Sequence, residues 1–508
     1  MSVLVWAVSG GVLGYYALSR FSPWVSCIAG VAAAAMVFAV QRPGPREAEN
    51  TGAGVRELQP PPCRGGVGRL SAPAAARLPA LAGAFALSIG LVIGCVSGAS
   101  ARKPFSPGLP PEKIHSIGGI LLDDPRAGGS GGFANIRAFA AGAELPGCGA
   151  VRASAEGTAL VFFPESSIPR LKEFGRGGEV FVEGAFSSNS EKRYGKPVFS
   201  ARSVHLVKPA SRLEQLRTAA RLSLVKTLSS LDPGGLAAAL LLGSRDGLDP
   251  RLERAYREAG LSHILALSGM HLSFFSGLLA FFLIRPLGKN ASALAGLLFI
   301  VVFVFIAGPM PSLLRSAIMY AIGVWALLSG MPKFTVLFLG AAFLLQIAFD
   351  PASGLSASFI LSYTALAGLL LLGEKISFLA RGRVPPFLAK ALSASLGAFI
   401  VSAPFVSGLF GELRPGGIVS GLVVVPLTSL FMAASLLFLA CGGFFPFAVH
   451  ILSFLESLIA KTVSAASGIP GLGAPFFPVF VLSLFLAALV FFAEKRLRSY
   501  RSRLDSFD

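Results

Sequence analysis

Long apolar runs recur along almost the whole chain, from Val3 to Phe492, and they limit the fold more than any other feature. At 1.5 Å of rise per helical residue, roughly 20 such residues cross a hydrocarbon core about 30 Å thick. The runs that read as spans are 2–19, 23–40, 78–99, 264–284, 291–307, 312–329, 334–349, 356–373, 388–409, 418–440, 446–467 and 476–492, about 12 in all. The run 446–467 also carries Glu456 and Lys461. Only 14% of the 508 residues are charged, against about 25% in a soluble domain. A polytopic α-helical membrane protein is expected, and a soluble enzyme is excluded. The first basic residue is Arg20, so the basic start of a cleavable signal is missing and 2–19 reads as a retained span.

Between the third and fourth runs the character changes. Residues 101–209 are rich in charge and glycine and contain the β-type runs KIHSIGGILL, FANIRAFA, TALVFF, EVFVEGAF and PVFSARSVHLV, which predict a small all-β domain of five or six strands. The next segment, 210–262, reads as amphipathic interfacial helices. In its first helix Leu213, Leu216, Ala220, Leu224 and Leu228 recur on one face, which suits a helix lying on the bilayer. The organisation expected is therefore spans in 1–100 with a basic linker at 41–77, the β-domain at 101–209, interfacial helices at 210–262, a membrane domain at 263–493 and a basic tail at 494–508.

Loop charge orients this arrangement, because short cytoplasmic loops collect Lys and Arg. With the N-terminus inside, the loops on that side carry 18 Lys and Arg, and the opposite short loops carry only Arg20 and Arg414. Both termini are then cytoplasmic and the β-domain lies outside the cytoplasm. This use of basic residues also explains much of the net charge of +18, which by itself does not point to nucleic acid. Cys27, Cys95 and Cys441 fall in apolar runs, and Cys63 and Cys148 stand alone in polar segments, so no disulfide framework or metal motif is legible.

Spans can be built from Leu, Ala, Phe and Val, so the polar residues among them are the informative ones. The stretch 241–275, LLGSRDGLDPRLERAYREAGLSHILALSGMHLSFF, is the most unusual. His263, Ser268 and His271 there suit either hydrogen bonding between packed helices or gating, and Ser268-Gly269 interrupts the apolar run as a broken helix would. Arg245 opens a balanced run of Arg and acidic residues that also fits a solvated amphipathic helix. Further on, Ser312, Arg315 and Met319 fall at i, i+3 and i+7 and share a face. An arginine in a span costs about 2.5 to 3.5 kcal/mol on insertion scales, so Arg315 faces protein or water, or reaches the interface and pairs with a carbonyl.

Three motifs in order carry a family resemblance. Gly243, Arg245, Gly260, His263, Ser268, Gly269 and His271 are similar to the signature of the ComEC family, the membrane channel proteins of bacterial DNA uptake. GPMPSLLRSAIM at 308–319 and DPASGLSASFILSYTALAG at 350–368, the latter through Asp350, Pro351, Phe359, Leu361, Ser362 and Ala365, resemble two further segments of that family. Ile360 and Gly421 depart from the pattern, standing where Gln and Asn are usual. The resemblance implies a channel in the bacterial inner membrane that admits single-stranded DNA during natural transformation. It places Arg245, His263, Ser268, Gly269, His271, Ser312, Arg315 and Ser362 on the DNA path or its gate, and gives the β-domain an oligonucleotide-binding (OB-like) barrel. In that barrel, which holds 14 Lys and Arg and 10 Asp and Glu, DNA contact is expected at Lys192, Arg193, Tyr194 and Lys196, with most phenylalanines in the core.

Many relatives end in a β-lactamase-like hydrolase with an H-x-H-x-D-H cluster. His115, His205, His263, His271 and His450 form no such cluster, and neither Ser268 nor Ser312 is accompanied by a base and an orienting acid. The expectation is a form lacking that domain: not an enzyme, without metal or cofactor, and dependent on a separate DNA receptor, a cytoplasmic ATPase and a separate nuclease. The alternative is a small-molecule or lipid transporter on the same scaffold without a DNA role.

Overall fold

A computed structural model of the chain describes residues 105–504 except 107, 129–130, 146–148, 188–196, 230–233, 333 and 441–445, together with Val12 and Gly94. The three N-terminal runs, the linker 41–77 and the basic turn with Lys192, Arg193, Tyr194 and Lys196 lie outside the described residues. The chain divides into two units: Met1–Arg102 with Pro332–Ser356, and Lys103–Met331 with Ala357–Asp508.

The larger unit opens with a β-barrel. Its strands are β1 (Ile114–Leu121), β2 (Arg126–Gly128), β3 (Gly131–Leu145), β4 (Gly149–Pro164), β5 (Glu179–Phe186) and β6 (Val198–Lys208), and a short helix α1 (Ile168–Phe174) lies between β4 and β5. They pair in the order β1-β5-β6-β4-β3-β2, and an additional β1–β3 pairing closes five of them into a barrel, leaving β2 as a hairpin extension of β3. Only β4 and β6 run parallel. The predicted β-type runs fall on β1, β3, β4, β5 and β6. Alternation sorts their residues: Val180, Val182 and Gly184 point in, while Phe181 and Glu183 point out. Ile114, Ile117, Leu121, Ile136, Val161, Phe163, Val182 and Phe199 fill the interior, and each buried side chain of this size contributes about 1.5 to 3 kcal/mol.

Three short helices and a longer one follow: α2 (Arg212–Ser229), α3 (Gly234–Leu242), α4 (Pro250–Glu258) and α5 (Ser262–Leu265). α4 starts where Asp249 accepts the Arg251 N–H at 2.9 Å and Pro250 occupies the first turn. α2 exposes part of its leucine face. Leu213 and Leu216 are exposed, while the buried positions are Arg217, Thr218 and Leu228. The exposed leucines suit a bilayer surface, and the buried arginine has a specific partner described below.

Among the described residues, seven helices are long and apolar enough to cross a membrane. They are α6 (Gly269–Ala307), α7 (Pro311–Leu328), α9 (Ala357–Ala380), α10 (Pro386–Phe410), α11 (Gly416–Ala440), α12 (Pro446–Ser467, apolar from Val449) and α13 (Phe476–Leu504). The intervening α8 (Thr335–Phe349), in the other unit, is apolar but has 15 residues. Outward positions such as Phe281, Leu298, Val419, Leu437, Phe454 and Phe485 are exposed and apolar, as a hydrocarbon solvent requires. The runs 264–284 and 291–307 are two helices that meet at Gly288, whose backbone is non-helical (φ 76°, ψ 174°) two residues after Pro286, and the first of them begins at Gly269 instead of 264.

Candidate functional site

The motif residues converge on the start of α6. The single turn α5 ends at Ala266, which is extended (ψ 130°), and Ser268 is also extended (φ −130°, ψ 171°) before Gly269 begins the next helix. An extended stretch inside an apolar protein frees backbone groups that need partners. Ser312 supplies one by donating its hydroxyl to the Leu267 carbonyl at 2.7 Å. Leu267 itself packs with Ala307 and Leu313. Gly243 belongs to the same cluster: its φ is +69°, and a Cβ there would lie 2.8 Å from a Leu267 methyl, so both conformation and space require glycine.

Ser268 and His271 cap the new helix reciprocally. The Ser268 N–H donates to His271 Nδ1 at 3.2 Å, which places the imidazole proton on Nε2. His271 is fully buried, and its Nε2 has no hydrogen-bond partner among the described residues. Arg315, one turn after Ser312, is 7% exposed. Its guanidinium carbon lies 5.8 Å from the centre of the Tyr363 ring, and Nη2 reaches the Ser316 hydroxyl at 3.4 Å. Nε and Nη1 have no partner among the described residues. Leaving a buried polar group unpaired costs about 1 to 3 kcal/mol, more for a charged one, so Arg315 and His271 hold donor capacity that packing alone does not use.

His263 lies on the exposed side of α5 with Ser262 and Ala266, whereas Leu261, Ile264 and Leu265 are buried.

Two predicted positions fall elsewhere. Arg245 is exposed and pairs with Glu253 at 3.1 Å. Its neighbour Asp246 makes the informative contacts, accepting the Ala127 N–H at 3.1 Å and pairing with Lys172 at 2.6 Å, so the motif loop is fastened to the barrel. Ser362 is half-buried, and the adjacent Tyr363 is the residue that meets Arg315. On the barrel, Phe139 is 49% exposed and Arg152 lies over the outward Phe181 ring at 5.7 Å, so aromatic surface is available where core phenylalanine was expected.

A charged clamp holds the barrel over this region. Asp124, just after β1, accepts hydrogen bonds from Arg217 Nη1 at 2.9 Å and from Arg217 Nη2. Arg217 Nε donates to Glu214 at 2.6 Å, and Glu214 also pairs with Arg176 at 2.5 Å. Arg221 Nη1 donates to the carbonyls of Ala307 at 3.0 Å and Ile306 at 3.3 Å, the C-terminal end of α6, where a cation also complements the helix dipole. Burial would push the Asp124 carboxyl up, but the hydrogen bonds and charges of Arg217, with Arg221 and the Arg176 N–H, hold it below its ordinary range. Sequence reasoning missed Asp124, Arg217, Arg221, Asp246 and Tyr363. Only the placement of Tyr363 and Asp246 inside the motifs signalled them.

Fold and site together define a multi-span membrane protein in which a closed barrel is docked over a polar break between helices. The chain belongs to the Competence protein family, whose model matches residues 240–498. It is similar to the ComE operon protein 3 of Bacillus subtilis, 26% identical over 151 residues, which are 30% of this chain and 20% of that protein. Recombination protein 2 of Haemophilus influenzae is 25% identical over 260 residues, 48% of this chain and 33% of that protein. An uncharacterized protein of Aquifex aeolicus is 27% identical over 230 residues, 45% of this chain and 53% of that protein. The chain thus spans a third or less of the length of the first two relatives. No solved structure matches it.

Proposed function

We propose that the protein is a channel of the bacterial inner membrane that passes single-stranded DNA into the cytoplasm during natural transformation. The observation that carries this reading is the family match over 240–498, which includes the Ser268–Gly269 break, Ser312 and Arg315. Two structural features support it. The β-domain closes into a five-strand barrel with a helix between its third and fourth long strands, which suits an oligonucleotide-binding fold. The buried guanidinium of Arg315, which no carboxylate neutralises among the described residues, suits a polyanion that must pass without being trapped.

The residues of this chain bind and orient in this reading and perform no bond cleavage. Strand removal falls to a separate nuclease in this reading, because the five histidines are scattered through the sequence, and energy and delivery fall to a separate ATPase and a DNA receptor. Among the described residues no group of three metal-binding side chains forms. Purified protein incubated with labelled duplex or single-stranded DNA and Mn²⁺ or Mg²⁺ is expected to leave both intact. Cleavage that disappears in His263→Ala or His271→Ala assigns the nuclease to this chain instead.

The deciding experiment follows labelled DNA in a deletion strain. Uptake of DNA into a nuclease-protected cytoplasmic form is lost if the protein is the channel, and it persists if the scaffold transports a small molecule or lipid. Orientation has its own check: a reporter inserted at Ser188 is expected outside the cytoplasm and one fused after Asp508 inside. Reporters on the same side reject the arrangement of about 12 spans.

A further inference from the structure

We propose that the first turn of α6 and Arg315 form a binding site for one phosphate group. The inference rests on the channel reading for its biological source of phosphate, and on the geometry alone for the site. A helix that starts at Gly269 leaves the N–H groups of Gly269 and Met270 without acceptors inside the helix, because the cap of Ser268 serves His271, the third residue. Those N–H groups carry the positive end of the helix dipole. Arg315, a buried cation, stands beside the same turn: a Cβ on Gly269 would lie 2.9 Å from its Nη2 and 2.2 Å from the Ser316 hydroxyl. Two positive elements in contact repel one another unless an anion lies between them. Among the described residues no carboxylate pairs with Arg315, and its Nε and Nη1 remain unused.

Phosphate is the anion that fits both halves. A planar guanidinium offers two parallel N–H groups to two phosphate oxygens, and adjacent backbone N–H groups at a helix start hold a third. Gly269 then has a defined role: its missing side chain keeps the guanidinium against the backbone and leaves the N–H groups open. The phosphate can be a backbone phosphodiester of nucleic acid or free inorganic phosphate, and the experiment separates the two.

The full-length protein in lipid nanodiscs is unfolded thermally in sodium phosphate and in sodium chloride of equal ionic strength. Phosphate is expected to raise the midpoint by about 2 to 4 °C at saturation. Arg315→Met and Gly269→Ala should abolish the difference, and Arg315→Lys should retain part of it. A wild-type protein indifferent to phosphate overturns the site, as does an undiminished shift in Arg315→Met or, should that variant fail to fold, in Gly269→Ala. A short oligodeoxythymidylate that removes the phosphate-specific increment only when Arg315 is present identifies the phosphodiester; phosphate stabilisation without such competition assigns the site to free phosphate. The channel reading fails separately: a phosphate shift in vitro with normal transformation in Arg315→Met cells keeps the site and rejects the DNA role. Blocked transformation without a phosphate shift does the reverse.

Discussion

Cells carrying Arg315→Leu should transform no better than a deletion strain while containing the normal amount of a protein at least as stable as the wild type. The two halves of that result follow from one observation. Arg315 is buried, stacked beside Tyr363 and equipped with two N–H groups that bond to nothing among the described residues. Replacing a buried, uncompensated charge by an apolar side chain of similar length is neutral or stabilising, because the cost of about 1 to 3 kcal/mol for each unpaired group disappears. A residue kept only for packing would show the opposite pattern, with falling abundance and partial transformation. Transformation frequency measured beside immunoblots and thermal unfolding therefore separates the roles. Normal transformation in Arg315→Leu would remove the DNA path from this residue, and loss of protein would return it to a structural part.

How far the sequence revealed these features depended on the kind of interaction involved. The apolar runs and the five long strands were legible because burial imposes a period on each, as in the alternation of Val180 and Val182 with Phe181 and Glu183. The break at Ser268–Gly269 was legible because two small residues interrupt an apolar run. Pairings between distant polar residues leave no periodic trace. Asp124 and Arg217 are 93 positions apart, and an arginine in an amphipathic pattern reads as solvated, so the burial of Arg217 on α2 was not foreseen. The same blindness favoured Arg245 over Asp246, since a motif identifies a loop but not which of its charged side chains turns toward the barrel. The connection between the spans 264–284 and 291–307 was legible because Arg285, Pro286 and Lys289 interrupt the apolar pattern, and the backbone leaves the helical conformation there, at Gly288.

The clamp beneath the barrel supplies the other large expected effect. Asp124→Asn should destabilise the protein by about 3 kcal/mol, because it leaves the fully buried Arg217 guanidinium with Glu214 alone, and removing one member of a buried ion pair strands the other. Arg217→Leu should cost less than the pair is worth in isolation, since an apolar side chain fills the space and Asp124, partly exposed, keeps Arg221 at 3.6 Å. The double variant should then be more stable than the sum of the single losses predicts, by about 1 to 3 kcal/mol. Acid supplies an independent reading. The Asp124 carboxyl is held below its ordinary range in the folded protein, so its contribution is complete above the unfolded carboxylate value of about 3.9 and is lost as pH falls through the lower folded value. Glu214 is also held low, burial being outweighed by hydrogen bonds from Arg176 and Arg217, and so Asp124→Asn should flatten the acid loss without abolishing it. The clamp ends on the carbonyls of Ile306 and Ala307, beside the Leu267 cluster, and breaking it should loosen the barrel from the polar break before either part unfolds. Limited proteolysis of nanodisc-embedded protein between Lys208 and Arg212 measures that directly: faster cleavage in Asp124→Asn with intact fragments of both parts is expected, and unchanged cleavage would show that the barrel is held by other contacts.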